Sequence, residues 1–535
     1  MSANLISLLV MLPVALAAVL TMIGRQHPGL ARGIDVAGVL VLLVVSAGML
    51  LGGLGDQPQV VELGSWAAPF GIVWVYDRLS GLMLLLTATV ALLALIYAIV
   101  RDEDTAGPHF HALFQAQLFG LNGAFLTGDL FNLFVFFEVL LLASYGLMLH
   151  GSGRKRTRAG LHYVVVNLIG STLFLFAVGA LYGTVGSLNL ADITLKLPHV
   201  QADAVPIVTT AIFLLFTVFL IKGAAFPLYL WLPGAYGHAS IPVAALFAIM
   251  TKVGLYSVLR VDSIMLSGNN IGGVIDTTTL IAPWLLWLGL VTLIAAALGV
   301  VAATFLRRQV AYLIIASVGT ILIALGLAAG PERELALGGA LFYWIHTTVL
   351  SAGFFLLAGL LMRHRPDRGD AIVPAPAMPQ AVLVGSLFFA YAIAMAGLPP
   401  LTGFFGKVMI LSAALESPLL APVFAVVLIS GLVMVIALAR AGSRLFYQHE
   451  ASPGHPADHP PATSTGLPGT AAVIAPMVLA AVMVVGAQPL TAWLEGTAGQ
   501  IMQSDNYLEA VMPDGILDPA TAPGKFGADH DGGHH

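Results

Sequence analysis

One apolar run of about twenty residues follows another along this chain, beginning with NLISLLVMLPVALAAVLTMI at residues 4–23. Each run is long enough to cross about 30 Å of hydrocarbon as a helix. About fourteen such runs fall between polar or Gly/Pro-rich breaks, near 4–23, 34–53, 76–100, 108–126, 129–149, 161–183, 206–232, 240–260, 282–305, 309–329, 337–362, 380–413, 417–446 and 468–494. Lipid cannot satisfy a bare backbone, so spanning segments are helices unless strands close into a barrel. The short alternating strands of a barrel are not seen here. The expected fold is therefore an all-α polytopic membrane protein. Charged residues make up only 9% of the chain and hydrophobic ones 59%, which excludes a soluble domain. No basic stretch precedes the first run, so it reads as a retained helix and not as a cleaved signal peptide.

Basic residues set the orientation. Arg25 and Arg32, Arg101, the cluster Arg154, Lys155, Arg156 and Arg158, then Arg307 and Arg308, then Arg363, Arg365 and Arg368, and lastly Arg440 and Arg444 follow odd-numbered segments. Only the connection after the seventh lacks this mark. Acidic residues such as Asp56, Glu62, Asp192, Asp203, Glu332 and Glu334 follow the even-numbered ones. This alternation places both termini outside the cytoplasm. A net charge of −5 with dispersed basic residues offers nothing to nucleic acid. With no cysteine there is no disulfide, thiolate-held iron–sulfur cluster or cysteine zinc site, and any redox chemistry belongs to a partner.

Two segments read as broken. The seventh contains IKGAAFPLYLWLPG with Pro227 and Pro233, and the twelfth AMAGLPPLTGFFGK with Pro399 and Pro400. Proline leaves carbonyls unpaired, which a membrane tolerates only where protein or a wet cavity meets them. The breaks stand five segments apart, an odd number, so two five-helix units would run in opposite senses. Paired interrupted helices point to an inverted-repeat transporter with Pro227, Pro399 and Pro400 at its hinges. Lys222 precedes its proline while Lys407 follows the proline pair, so the two lysines are not equivalent under that alignment. The expected divisions are an N-terminal three-helix part (1–105), a first repeat (106–262), a second (280–447), a polar loop (448–467), a last helix (468–495) and a flexible acidic tail (496–535). The histidines of the loop (His449, His455, His459) and tail (His530, His534, His535) read as parts of solvated segments, since metal sites need fixed geometry.

Lysine is rare, with six in the chain, and three of them, Lys222, Lys252 and Lys407, lie inside apolar runs. Glu138, in LFVFFEVLLLASY, is likewise surrounded by apolar residues. A carboxylate at mid-bilayer costs several kcal/mol unless paired or protonated, so such residues usually mark an ion or proton path, the plainer alternative being a static pair that holds helices together. Lys222 is the obvious partner for Glu138. Lys252 lies about eight residues from the Arg260 end of its segment, too deep for easy snorkelling. Buried lysine, unlike arginine, can release its proton. His346 in LFYWIHTTVL can relay protons through its two ring nitrogens or serve merely as a packing residue. Glu138, Lys222, Lys252, His346 and Lys407 thus supply titratable groups on segments five, seven, eight, eleven and twelve, a pattern suited to hopping along a wet file. Asp129 and Asn132 read as an N-cap and a first-turn residue, and Arg307 and Arg308 as topology anchors. There is no phosphate-binding glycine loop and no catalytic triad.

The runs FLTGDLFNLFVFFEVLLLASYGL, IKGAAFPLYLWLPGAYGHASIPVAALFAIMTKVGLYSVLR and AGLPPLTGFFGK resemble the proton-translocating antiporter-like subunits shared by respiratory complex I, membrane hydrogenases and Mrp-type multisubunit cation/proton antiporters. GDLFNLFVFFE and FFGK are most similar to the D-type subunits of the Mrp group. The resemblance implies inverted repeats of segments four to eight and nine to thirteen, a Glu138–Lys222 pair, a connecting Lys252, His346 in the second half and a terminal Lys407. It also implies a proton-translocating subunit of a heteromeric Na+/H+ antiporter in a prokaryotic cell membrane, serving sodium transport and pH homeostasis. Its partners would be other membrane subunits, including a larger homologue, and it would need no cofactor. The alternative is the proton-pumping membrane subunit of an NADH:quinone oxidoreductase or hydrogenase. A third, non-transport reading is a scaffold whose charges only fix packing. This chain departs from relatives at AYLIIASVG in the tenth segment, where polar residues are often richer, and at Ser351, where some relatives carry a lysine.

Overall fold

The fold is that of a computed structural model, which describes residues 2–266, 268–277, 280–376, 378, 380–448, 467–513 and 515. Eleven described helices are long and apolar enough to cross a bilayer, and a twelfth span is counted if the pair Gly469–Val485 and Ala487–Met502, bent by 84°, is taken as one. The other two expected segments fall short for visible reasons. Phe110–Leu126, the fourth, has only 17 residues and carries His111, Gln115, Gln117 and Asn122. The twelfth is cut into Ala381–Ala396 and Thr402–Ala413.

The seventh segment is cut as well, into Val205–Gly223 and Trp231–His238. Pro227 lies in one break and Pro399 and Pro400 in the other, and the Phe226–Pro227 and Pro399–Pro400 bonds are cis. Protein groups meet the backbone that each break frees, as a membrane interior requires. In the seventh segment Trp231 Nε1 donates to the Ile221 carbonyl at 3.2 Å, and Thr292 Oγ1 of the ninth accepts from the Phe226 amide at 3.0 Å. In the twelfth, Lys407 Nζ donates to the Ala396 carbonyl at 2.8 Å.

Helix neighbours recur at an interval of five. Segments four and five, five and six, six and seven, seven and eight, and four and eight touch; so do nine and ten, ten and eleven, eleven and twelve, twelve and thirteen, and nine and thirteen. Glycine permits the closest of these approaches. A Cβ at Gly254 in the eighth segment would collide with the backbone of Phe219 and Gly223 in the seventh. The long eleventh segment, Arg333–His364, sits centrally and packs against the third, tenth, twelfth and last.

The chain's C-terminal part differs from expectation. The last span does not end near 495 but turns at Gly486 into Ala487–Met502, and Ser504–Val511 forms a further helix within the stretch expected to be a flexible tail. Its Tyr507 is buried over the Arg260 guanidinium, 5.9 Å from ring centre to Cζ, and this apolar, cation–π seat gives the segment a packed face. Arg260 itself grips Asp77 through both guanidinium nitrogens, at 2.5 and 2.8 Å. Beside it, strands Gln59–Glu62 and Val73–Tyr76 pair antiparallel. The loop histidines His449, His455 and His459 and the tail histidines His530, His534 and His535 lie outside the described residues.

Candidate functional site

Lys252 lies in Ile241–Leu266, a span buried along its whole window, and is itself 1% exposed. Its Nζ donates to Ser317 Oγ of the tenth segment at 2.6 Å, and that hydroxyl in turn donates to the Ile314 carbonyl at 2.6 Å. A segment of the first five-helix group is thereby joined to one of the second by a cation and a hydroxyl. No carboxylate forms an ion pair with Lys252 among the described residues.

His346, also 1% exposed, is on the eleventh segment. Its Nδ1 lies 2.6 Å from Thr402 Oγ1, the first residue after the twelfth segment's break. Its Nε2 has no hydrogen-bond partner among the described residues. Gly403 makes room for that nitrogen, since a Cβ there would lie 2.7 Å from it. His346 thus stands at the twelfth segment's break, where Lys407 also lies.

Lys407 turns back to the break, where its Nζ is held by the Ala396 carbonyl. Gly397 has φ +76° and caps the helix that ends there. A Cβ at Gly397 would come 2.9 Å from both Cδ and Nζ of Lys407, so the absence of a side chain lets the amine reach the carbonyl. The same amine borders a cavity of about 370 Å³ between segments twelve and thirteen, lined by Phe404, Val408, Leu411, Val427 and Gly431.

Lys222 and Glu138 do not touch. Among the described residues no ion pair joins them; Lys222 Nζ reaches the Asn167 carbonyl at 3.2 Å and Ser171 Oγ at 3.3 Å, both on the sixth segment. The reason for the gap is the face on which Glu138 lies. It shares a helical stripe with Phe131, Val135 and Leu142, all exposed, the last to 64%. Its Oε1 has no hydrogen-bond partner among the described residues.

Five ionisable groups expected from sequence therefore lie in or beside the spanning segments; Lys252 meets the tenth segment, while His346 and Lys407 both meet the twelfth segment's break. Each of these three is met by a small hydroxyl or a backbone carbonyl, partners that hold a proton donor without fixing its charge as a carboxylate would. Sequence reasoning missed Ser317, Thr402, Asn167 and Ser171, because hydroxyls and amides in apolar helices also serve ordinary packing. The spacing of Asn167 and Ser171, one turn apart on one face, was the only signal available. Among the described residues no group of three or more His, Cys, Asp or Glu is arranged to hold a metal ion. Asp129 caps the fifth segment as expected, accepting from the Asn132 amide at 2.8 Å.

Residues 127–433 match the family described as NADH:quinone oxidoreductase/Mrp antiporter, TM. The chain is 40% identical over 477 residues to the D-type subunit of a probable K(+)/H(+) antiporter of Rhizobium meliloti (strain 1021), covering 83% of this chain and 87% of that protein. It is 33% identical over 491 residues to the D-type subunit of the Na(+)/H(+) antiporter of Bacillus subtilis (strain 168), covering 90% and 92%. In structure it is similar to a chain of the Mrp complex from Dietzia sp. DQ12-45-1b, with a TM-score of 0.83, 26% identity and coverage of 96% and 99%. A chain of respiratory complex I from Thermus thermophilus shares the fold, with a TM-score of 0.74, 22% identity and coverage of 93% and 99%.

Proposed function

The chain belongs to the NADH:quinone oxidoreductase/Mrp antiporter transmembrane family, and from that premise we propose that it is a proton-translocating subunit of a heteromeric monovalent cation (Na+)/proton antiporter. It is a secondary transporter subunit and not an enzyme. Protons move along Glu138, Lys222, Lys252, His346 and Lys407, with Pro227, Pro399 and Pro400 at the breaks where the backbone can yield. The observation that carries this reading is the 2.6 Å contact of Lys252 with Ser317, which bridges the two halves at the centre of the succession. The halves are residues 106–262 and 280–447, behind an N-terminal three-helix part, and the recurrence of helix neighbours supports that division.

Protonation at one site alters the next because neighbouring buried charges act on one another. Glu138 begins the line from the outside. Glu138 is half-buried with its Oε1 closed off, but the apolar residues of its stripe are exposed, so a neighbouring membrane subunit covers this face. That neighbour belongs to a set of membrane subunits that includes a larger homologue. The complex sits in a prokaryotic plasma membrane, with both termini of this chain on the side away from the basic loops.

Antiport in everted vesicles tests the reading. Lys222→Ala and Glu138→Ala are each expected to abolish cation-driven proton movement while the complex still assembles; intact antiport in either assembled variant would make those charges structural. Flavin or iron–sulfur proteins in the purified native complex would instead favour a redox-driven proton pump.

A further inference from the structure

We infer that Asp104, His111 and Asp35 form a proton-exchange site on the basic-loop side of the membrane, separate from the line of Glu138, Lys222, Lys252, His346 and Lys407. What the site serves rests on the proton-translocating reading above; its existence does not. Three elements converge on it. Asp35, fully buried, comes from the second segment, Pro28–Leu51; Asp104 from the turn Glu103–Ala106; His111 from the first turn of Phe110–Leu126.

His111 Nδ1 lies 2.6 Å from Asp35 Oδ2, and Nε2 lies 3.1 Å from Asp104 Oδ2. A neutral imidazole has one N–H, so two hydrogen bonds to two carboxylates require one more proton, either on the ring or on a carboxyl. That proton is shared in a place largely closed to solvent, with the His111 side chain 11% exposed. With it, Arg32 and the imidazolium offset Asp104 and Asp35. Without it a net negative charge is left buried, which is costly.

The geometry also defines a step. A proton on Asp104 passes to Nε2 as that O–H bond breaks and an N–H bond forms. The Nδ1–H bond breaks as an O–H bond forms on Asp35 Oδ2, and the ring is left neutral with its proton on Nε2. Asp104 is the outer end, because it is tied to the partly exposed Arg32 (Nε–Oδ2 2.6 Å), which also holds the exposed Asp102 at 2.8 Å.

Near His111 stands His150, whose ring is 4.9 Å from that of Phe110 and whose Nε2 bonds the Glu103 carbonyl at 2.8 Å, while its own carbonyl accepts from Arg156. Burial holds His150 below the usual imidazole range. Among the described residues the hydrogen bonds beyond Asp35 end at Gln115, which donates to Asp35 Oδ1 at 2.6 Å. Asp35 therefore stores the proton. Two residues on, Gln117 donates to Met250 Sδ at 2.9 Å, on the helix of Lys252, so the fourth segment lies between the stored proton and the relay.

Infrared difference spectra of the purified complex, titrated from about pH 5 to 9, test this together with the pH profile of antiport. The expected result is a protonated-carboxyl band that titrates in the wild type, persists in Lys252→Ala and is missing in Asp35→Asn, with the antiport midpoint in Asp35→Asn moved by about one pH unit. Should Asp35→Asn not assemble, Asp104→Asn at the rim is expected to displace the same band. An unchanged band and an unchanged profile in these variants would reduce the cluster to a static tie and overturn the inference. The spectra decide this even if Lys252→Ala leaves antiport intact and the relay reading fails.

Discussion

Lys252 Nζ stands 2.6 Å from Ser317 Oγ, and through that contact the first five-helix group meets the second by a proton donor and a hydroxyl, both buried. The hydroxyl is already committed as a donor to the Ile314 carbonyl, so it offers the amine a lone pair. Hydrogen bonds to charged groups contribute about 1.5 to 3 kcal/mol. Ser317→Ala is therefore expected to slow antiport about tenfold or more, while Ser317→Thr, which keeps the hydroxyl, retains most of it. Initial rates of cation-driven pH change in vesicles, normalised to assembled complex, check this.

Gly397 is the position where backbone shape and amine placement coincide. Alanine there must adopt φ +76° at a cost of about 1 to 2 kcal/mol. It must also displace Lys407, whose Nζ would lie 2.9 Å from the new Cβ. Gly397→Ala is expected to lower the melting temperature slightly and antiport severely. A variant with a lowered melting temperature but normal transport would show that Lys407 need not meet the Ala396 carbonyl.

Much of this was legible in the sequence because apolar length and proline position act locally. The runs around residues 4–23 and 309–329 are helices for reasons contained in the runs themselves, and Pro227 and the Pro399–Pro400 pair mark the breaks. What pairs with a buried group depends on which helices become neighbours, and that is not local. Glu138 and Lys222 looked like a pair because both are ionisable and apolar-flanked, yet helix rotation puts Glu138 on an outer stripe and turns Lys222 toward Asn167 and Ser171. Asp35 and His111 gave no signal, since each stands near a segment end among other polar residues. The helix Ser504–Val511 was hidden for a similar reason: its seat on Arg260 comes from a helix far away in the chain.

Asp77 makes stability sensitive to acid. Burial pushes its carboxyl up, but the Arg260 guanidinium and the Ser80 hydrogen bonds outweigh this and hold it below its ordinary value of 3.8. A depressed carboxyl stabilises the fold fully above the unfolded value and loses that contribution as pH falls through the folded one. Melting temperature is thus expected to drop below about pH 4 in wild type. Asp77→Asn should cost about 3 to 5 kcal/mol at neutral pH, because it leaves Arg260 buried and unpaired. Thermal unfolding in detergent across pH measures both.

Asp129 has the opposite sign. Burial pushes its carboxyl up to about 6, so its ionisation opposes folding and stability is lost as pH rises from about 4 through 6. Asparagine keeps the cap without the charge. Asp129→Asn is expected to be at least as stable as wild type above pH 6, with no step in that window, whereas Asp129→Ala loses the cap and about 1 kcal/mol. The same unfolding series distinguishes them.

The proposed relay depends on a titratable amine at 252 carrying protons between the two halves. The most direct test is cation-driven proton movement in vesicles bearing the assembled complex with Lys252→Ala, and with Lys252→Arg, which keeps a charge that is not released. Both are expected to assemble as wild type does and to lose antiport to background. Transport at the wild-type rate in assembled Lys252→Arg or Lys252→Ala would contradict the account.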